Sequence, residues 1–272
     1  MTFSAYETSQ AQGQPILLLD FVVLGVHWQY TTADRAIVNG GITWQPASIS
    51  IGNIKAGSEI KQQQITVTAP RDLLAAQQFY IYPPSTPMML YVWALHYDDP
   101  DQQAVLQWVG RVMYPTWKGS SVEITCEPSY SSVQTTGLRR RYSITCAHVL
   151  YGNGCNLTPA SFAASATLTA VSGFTLTATA FGAQPANYYS GGYIEWASSA
   201  GYTERRAITA HSGNTVTINY GAPDLGVGSA VTVYPGCDHT MGTCQSKFSN
   251  LANYGGTPYI PSINPLGGAQ IF

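Results

Sequence analysis

Apolar and polar positions alternate with a period of two along most of this chain, and few stretches carry a helical period. In SVEITC, Val122, Ile124 and Cys126 fall on one side of an expected strand, and QQITVTA repeats the pattern. Residues 15–28, PILLLDFVVLGVHW, are almost continuously apolar, which predicts a buried strand or two. VNGGITW carries Asn39-Gly40-Gly41 between two such runs and predicts a hairpin, because Asn and Gly tolerate positive φ. MMLYVWALHY and VLQWVGRVMYPTW predict further strands on either side of the polar turn YDDPDQQ, residues 97–103. RDLLAAQQF, residues 71–79, is the one helix expected in this half.

A polar stretch, SSVQTTG, sets a soft boundary near residue 135. Beyond it, TPASFAAS predicts a short helix with Thr158 as N-cap and Pro159 at the first helical position. Residues 166–235 read as all β, punctuated by Gly, Ser and Asn, which suits a compact sandwich or barrel-like insert. TCQSKFSNLANY predicts one helix ending at Gly255-Gly256, and PYIPSINPLGG an extended tail. The expected fold is mainly β: an N-terminal β part over 1–135 and a β-rich C-terminal domain with short helices over 136–272.

Composition narrows the picture. With 45% hydrophobic and 12% aromatic residues in 272, the chain has material for real cores. Charged residues are only 10%, far below the usual quarter, so the surface suits lasting burial against other subunits. A net charge of −2 gives no electrostatic case for nucleic acid or an acidic membrane. Asp20 interrupts the apolar run and Arg35 is the first basic residue, so neither an export signal nor a membrane span is expected. The thiols should then meet a reducing cytosol, where metal ligation outweighs disulfide formation.

Four cysteines form two clipped pairs. Cys146 and Cys155 are separated by eight residues in CAHVLYGNGC, Cys237 and Cys244 by six in CDHTMGTC. Four thiolates suit tetrahedral zinc or a [4Fe–4S] cubane, and gaps wider than a zinc knuckle's tilt toward the cubane. Gly152, Gly154, Gly236 and Gly242 would permit close backbone approach, and a helix starting near 240 would aim its amide end at the second pair. His148 and His239 keep a mixed Cys/His zinc site open, and unligated thiols remain the plain alternative. A nucleophilic Cys146–His148 pair is disfavoured, since positions two apart diverge on a helix.

The remaining candidates read as structural. Cys126 alternates with Val122 and Ile124, so it is expected as core filler. Asp98, Asp99 and Asp101 lack an EF-hand register and read as a solvated turn. Arg139–Arg141 reads as a solvated or interface patch. Glu195, Glu204 and Asp224 have no recognisable acid–base partner, and the Asn156 glycosylation triplet is meaningless without secretion. No catalytic residue is expected.

CAHVLYGNGC, HSGNTVTI and GCDHTMGTCQSKFSNLANYGGTPYIPSINP resemble the C-terminal half of the phage tail tip hub family. That family occurs in long-tailed phages, prophages and gene transfer agents, and includes the tail tip protein L of lambda-like phages. YTTADRAIVNGGITWQPASI and the QWVGRV strand resemble its hub-domain half, so the likeness spans most of the chain. Ser262 stands where a glycine is expected, and Cys126 lies outside the motif. The resemblance implies a structural virion protein, not an enzyme, assembled in the host cytoplasm and located at the tail tip. It implies Cys146, Cys155, Cys237 and Cys244 as ligands of a [4Fe–4S] cluster that closes the C-terminal domain, with zinc as the alternative. Implied partners are the distal tail protein ring, the central tip or receptor-binding protein, and the chain itself as a trimer. Competing readings are a zinc-stabilised glycan- or receptor-binding β protein, suggested by 18 Tyr and 6 Trp, and a metal-dependent redox protein.

Overall fold

The computed structural model describes residues 3–9, 13–54, 63–97, 99–134, 137 and 142–260. The chain is mainly β and divides into two compact units, residues 1–135 with 197–204, and residues 136–196 with 205–272. Among the described residues no helix is long and apolar enough to cross a membrane.

The first unit contains β1 (Pro15–Val23), β2 (Val26–Thr31), β3 (Ile37–Asn39), β4 (Ile42–Pro46), β5 (Ser50–Ile51), β6 (Ile65–Pro70), β7 (Met89–His96), β8 (Val105–Lys118) and β9 (Ser121–Pro128). They form one sheet in the order β3-β4-β2-β1-β7-β8-β9-β6-β5. The pairing of β2 with β4 is parallel; β1 pairs antiparallel with both β2 and β7.

The inner strand β1 has both faces covered. Leu19, Phe21 and Val23 enter one core and Ile16 and Leu18 another, which is why its sequence is a continuous apolar run. Asp20, in that run, is buried, and its carboxylate meets His27 Nδ1 of β2 at 2.8 Å. The break inside PILLLDFVVLGVHW falls at Leu24-Gly25, with φ of 46° and 85°, and Val23 pairs with Val26. The Asn39-Gly40-Gly41 hairpin also forms, with the positive φ on Gly40 (60°) and Gly41 (80°) and Asn39 closing β3.

The helix expected in this half is shorter than its segment. The 71–79 segment shrinks to α2 (Leu74–Gln77), while α1 (Phe3–Glu7) was not signalled; its Tyr6 stacks on His96 at 5.4 Å. Asp98 lies outside the described residues. The turn expected as solvated is corrected at Asp99, which is buried and accepts from the backbone N–H groups of Asp101 (3.0 Å) and Gln103 (3.1 Å), so it braces the turn from inside.

Residues 197–204 belong to the first unit, although strands of the second flank them in sequence. Tyr202 meets Trp28 edge-on at 6.4 Å and donates to Gln78 at 3.2 Å, and Glu204 accepts from Ser85 N–H at 3.1 Å.

The second unit holds β10 (Ala164–Thr167), β11 (Ala170–Ser172), β12 (Thr175–Thr177), β13 (Tyr193–Ala197), β14 (Thr203–Ser212), β15 (Thr215–Ile218) and β16 (Ala230–Tyr234). Their order is β10-β16-β13-β14-β15-β12-β11. A 3-10 turn at Thr179–Ala183 touches β10 at one edge and also β15, so the sheet curls around one core. Leu176, Phe181, Ile194, Val216 and Val233 are fully buried there.

The two helices expected in this half are corrected. Pro159–Phe162 is a single 3-10 turn in which Thr158 makes no capping bond. TCQSKFSNLANY splits into α3 (Met241–Ser246) and a 3-10 turn at Leu251–Asn253, because Ser249 adopts φ of 50° and reverses the chain. Arg139–Arg141, Ser262 and most of the proline-rich tail lie outside the described residues.

Cys126 is fully buried with Val122 and Ile124 in the first unit's core, and burial raises its pKa. Cys126→Ser should lower the stability of this unit by about 1–2 kcal/mol through a poorly partnered hydroxyl, measured as a reduced denaturant midpoint.

Candidate cofactor site: four thiols around one cavity

Two short loops build the site. The first, residues 146–155, is a series of tight turns in which Gly152 N–H donates to Val149 C=O at 3.0 Å and Tyr151 adopts φ of 62°. Asn156, at φ of 55°, donates its N–H to Gly152 C=O at 2.8 Å and turns the chain away. The second loop leaves β16 through Pro235-Gly236, turns at His239 (φ 63°) and enters α3. Thr240 caps α3, its hydroxyl accepting from Thr243 N–H at 3.2 Å, and Cys244 on the helix is buried.

Direct hydrogen bonds join the loops. Cys146 N–H donates to His239 C=O at 2.8 Å, Tyr151 Oη to Pro235 C=O at 2.9 Å, and Asn250 Nδ2 to Cys155 C=O at 2.6 Å. Cys146, Cys155, Cys237 and Cys244 therefore line one cavity together with His148 and Phe248. The cavity itself is small, about 20 Å³, so the four thiols stand close around it.

Polar hydrogens point at three of the sulfurs. His239 N–H donates to Cys237 Sγ at 3.3 Å, Gly255 N–H to Cys146 Sγ at 3.3 Å, and Asn250 Nδ2 approaches Cys155 Sγ at 3.7 Å. Cys244 differs: its thiol donates to Asn250 C=O at 3.3 Å. Burial raises the pKa of Cys237, as do the neighbouring Asp238, Cys155 and Cys146, against the bond from His239 N–H. Burial likewise raises Cys244, with the charges of Cys237, Cys146 and Cys155 behind it. Four thiolates side by side are thus unfavourable unless a cationic centre lies among them.

The histidines serve the loops through other groups. The His148 ring sits between Gly154 and Gly255, where a Cβ at either position would come within 2.6 Å of it. Its Nδ1 lies 3.1 Å from Asn253 C=O, so the ring fills a glycine-walled slot against the second loop. His239 contributes its backbone. Of the glycines read as close-approach positions, Gly152, Gly154 and Gly236 are such, whereas a Cβ at Gly242 would meet nothing within 4 Å. α3 has six residues, too few for the amide-end argument made from sequence, and the donors to sulfur come from loop backbone and Asn250 instead. Among the described residues, no three His, Cys, Asp or Glu side chains are arranged to share a single metal ion.

Sequence reasoning missed Asn250, Lys247 and Tyr151. Lys247 donates to Gly236 C=O at 2.7 Å and to Tyr188 C=O, and lies 4.1 Å over the Tyr188 ring. Burial lowers its pKa, partly offset by Cys237 and Asp238. Tyr151 stands at the centre of an aromatic cluster with Phe162, Tyr193, Tyr234 and Phe248, at centroid distances of 6.0–6.4 Å. Scarcity of cations was the one available signal for Lys247; Asn250 carried none. The carboxylates without assigned roles are structural: Glu195 pairs with Arg205 and accepts from Tyr234 Oη at 2.8 Å, and Asp224 accepts from Trp196 Nε1 at 3.2 Å.

A nine-stranded sheet in one unit, and in the other a curled seven-stranded sheet with a pocket of four thiols, make this a mainly β protein. The family described as "Baseplate hub protein, N-terminal attachment domain" matches residues 22–158, half of the chain, and "Phage conserved hypothetical protein BR0599" matches residues 187–264. The chain belongs to the baseplate hub family, and so to the structural tail proteins of phage-type virions. An uncharacterized protein of Xylella fastidiosa (strain 9a5c) is 31% identical over 173 residues, covering 58% of this chain and 36% of that protein. The chain thus spans about a third of the length of that curated relative. The solved virion of a native gene transfer agent particle contains a chain of the same fold, with a TM-score of 0.77 and 18% identity over 99% of this chain and 97% of its own.

Two outcomes test this geometry. Gly255→Ala should push the His148 ring from its slot and disturb the bond to Cys146, seen as faster hydrogen exchange across 146–155 with the first unit unchanged. In metal-free, reduced protein the raised thiols of Cys237 and Cys244 favour the folded state fully below the ordinary thiol pKa of 9.0. That contribution is lost as pH climbs through the raised folded values, so thermal stability of the second unit should fall in alkali. A flat profile above pH 9 would contradict the coupling.

Proposed function

We propose that this protein is a tail tip hub subunit that carries a structural [4Fe–4S] cluster on Cys146, Cys155, Cys237 and Cys244. The observation that carries this reading is the single cavity lined by all four thiols, with polar hydrogens aimed at three of the sulfurs. Such donors stabilise anionic sulfur removed from water. Sulfurs around one zinc ion would sit about 3.8 Å apart for Zn–S bonds of ~2.3 Å.

When bound, the cluster supplies a rigid inorganic cross-link and the positive charge that lets four neighbouring thiols ionise. This chain's own residues supply the rest. Cys146, Cys155, Cys237 and Cys244 bind, backbone N–H groups of His239 and Gly255 face sulfur, and His148 and Tyr151 hold the first loop against the second. Such a cross-link fastens the root of the curled sheet without a disulfide, which a reducing cytosol would not form.

In the particle we place the subunit in a ring of three, between the distal tail protein ring and the central tip or receptor-binding protein. Membership of the baseplate hub family and the 10% charged composition support a subunit that lives in permanent contacts. Its task is mechanical connection rather than catalysis.

Iron, sulfide and zinc analysis of anaerobically prepared protein should find about four iron and four sulfide per chain with a broad visible absorption. Zinc alone at one per chain would reject the cluster. Cys237→Ser should abolish iron retention, loosen residues 146–250 in hydrogen exchange and block tail completion. The first unit should keep its stability.

A further inference from the structure

Asn250 is an uncharged, buried residue six positions beyond Cys244, and it contacts both cysteine loops at once. Its backbone N–H donates to Cys244 C=O at 3.0 Å and its C=O accepts the Cys244 thiol at 3.3 Å. Its side-chain amide donates to Cys155 C=O at 2.6 Å and points at Cys155 Sγ at 3.7 Å. The orientation of that amide is fixed by a further bond, since Asn253 Nδ2 donates to Asn250 Oδ1 at 2.7 Å. Asn253 C=O in turn meets His148 Nδ1 at 3.1 Å, back on the first loop. A relay of two amides and one imidazole thus runs from loop to loop beside the cavity.

We propose that Asn250 is the positioning residue of the four-thiol pocket, locking Cys155 and Cys244 in register before any cofactor arrives and tuning the cofactor afterwards. The proposal deepens the cluster reading and rests on it for its second half. Its first half concerns the protein alone. A primary amide is the group this place demands: it presents N–H to a carbonyl and a sulfur while offering oxygen to Asn253. Aspartate has nearly the same shape but only acceptors when ionised. It would set a carboxylate against the Cys155 carbonyl and among thiolates, where each like charge disfavours the next. Alanine would leave the Cys155 carbonyl and the Asn253 amide without their partner.

The test uses the full chain with Asn250→Ala and Asn250→Asp. In reduced, metal-free protein, alkylation followed by mass spectrometry reads each thiol separately. Cys155 should label about tenfold faster in Asn250→Ala, the consequence of one lost buried hydrogen bond, with Cys126 unchanged and Cys244, which the backbone of residue 250 still holds, changing less. Hydrogen exchange over β15 and β16 reports whether the sheet stays folded. After anaerobic reconstitution with iron and sulfide, both variants should release iron sooner and show a more negative midpoint potential, Asn250→Asp more so, because fewer donors stabilise the reduced, more anionic state.

Unchanged labelling together with an unchanged potential overturns the proposal. Loss of sheet protection in both variants also overturns it, since Asn250 would then hold the unit rather than the pocket. If the wild-type chain takes up no iron and sulfide, the cluster reading fails by itself, and the labelling contrast still decides whether Asn250 positions the thiols.

Discussion

The second unit depends on a constraint that no single element supplies: two loops, far apart in sequence, must meet so that Cys146 N–H reaches His239 C=O. The residues between them are not slack chain. They form a curled sheet with its own core, and that sheet returns β16 to the place where β10 began, since the two pair from Ala164 with Val233 to Thr167 with Ala230. The sheet therefore brings its own ends together, and much of the entropy of closing a long loop is met by strand pairing. What remains is local, and the bonds from Cys146, Tyr151 and Asn250 complete it. The thiols face one another because the sheet has already set the distance.

That arrangement explains why the loops are irregular. A helix or strand would satisfy its own backbone and leave nothing to offer. Left-handed residues at Tyr151, Asn156, His239 and Ser249 turn N–H groups out of regular ladders, and that of His239 faces sulfur. Backbone strain at such positions is of order 1–3 kcal/mol each and persists only where surroundings compel it. Here aromatic packing around Tyr151 and the Lys247 bonds to Tyr188 and Gly236 carbonyls provide the compulsion. Two classes of interaction thus guard one joint: apolar and cationic contacts on the sheet side, thiol chemistry on the loop side.

The first unit follows a different logic. Its sheet is covered on both faces at β1, so its order comes from ordinary burial, and its thiol, Cys126, is a small apolar filler. Both units owe their stability to area removed from water, and a centre bound to the four thiols would add to that of the second.

Much was legible from residues alone. Alternation marks β6, β9 and the strands of the second unit, the apolar run at 15–28 marks a buried strand or two, and Asn39-Gly40-Gly41 marks the hairpin of β3 and β4. The identities and spacing of the cysteines singled out one candidate centre, because thiols at paired intervals are rare enough to carry meaning. Helix ends were misjudged where a left-handed residue intervened, as Ser249 does after α3, since such a turn has no compositional mark when Gly is absent. Asn250 and Lys247 were invisible for a related reason: their worth lies in the carbonyls they reach across the chain, and pairings of that kind have no period. Nor could any local pattern assign residues 197–204 to the first unit. Side-chain chemistry is written in the chain one residue at a time, and so the sequence determined which atoms could serve a cofactor. Convergence of those atoms on one cavity comes from long-range strand pairing, which no local pattern encodes.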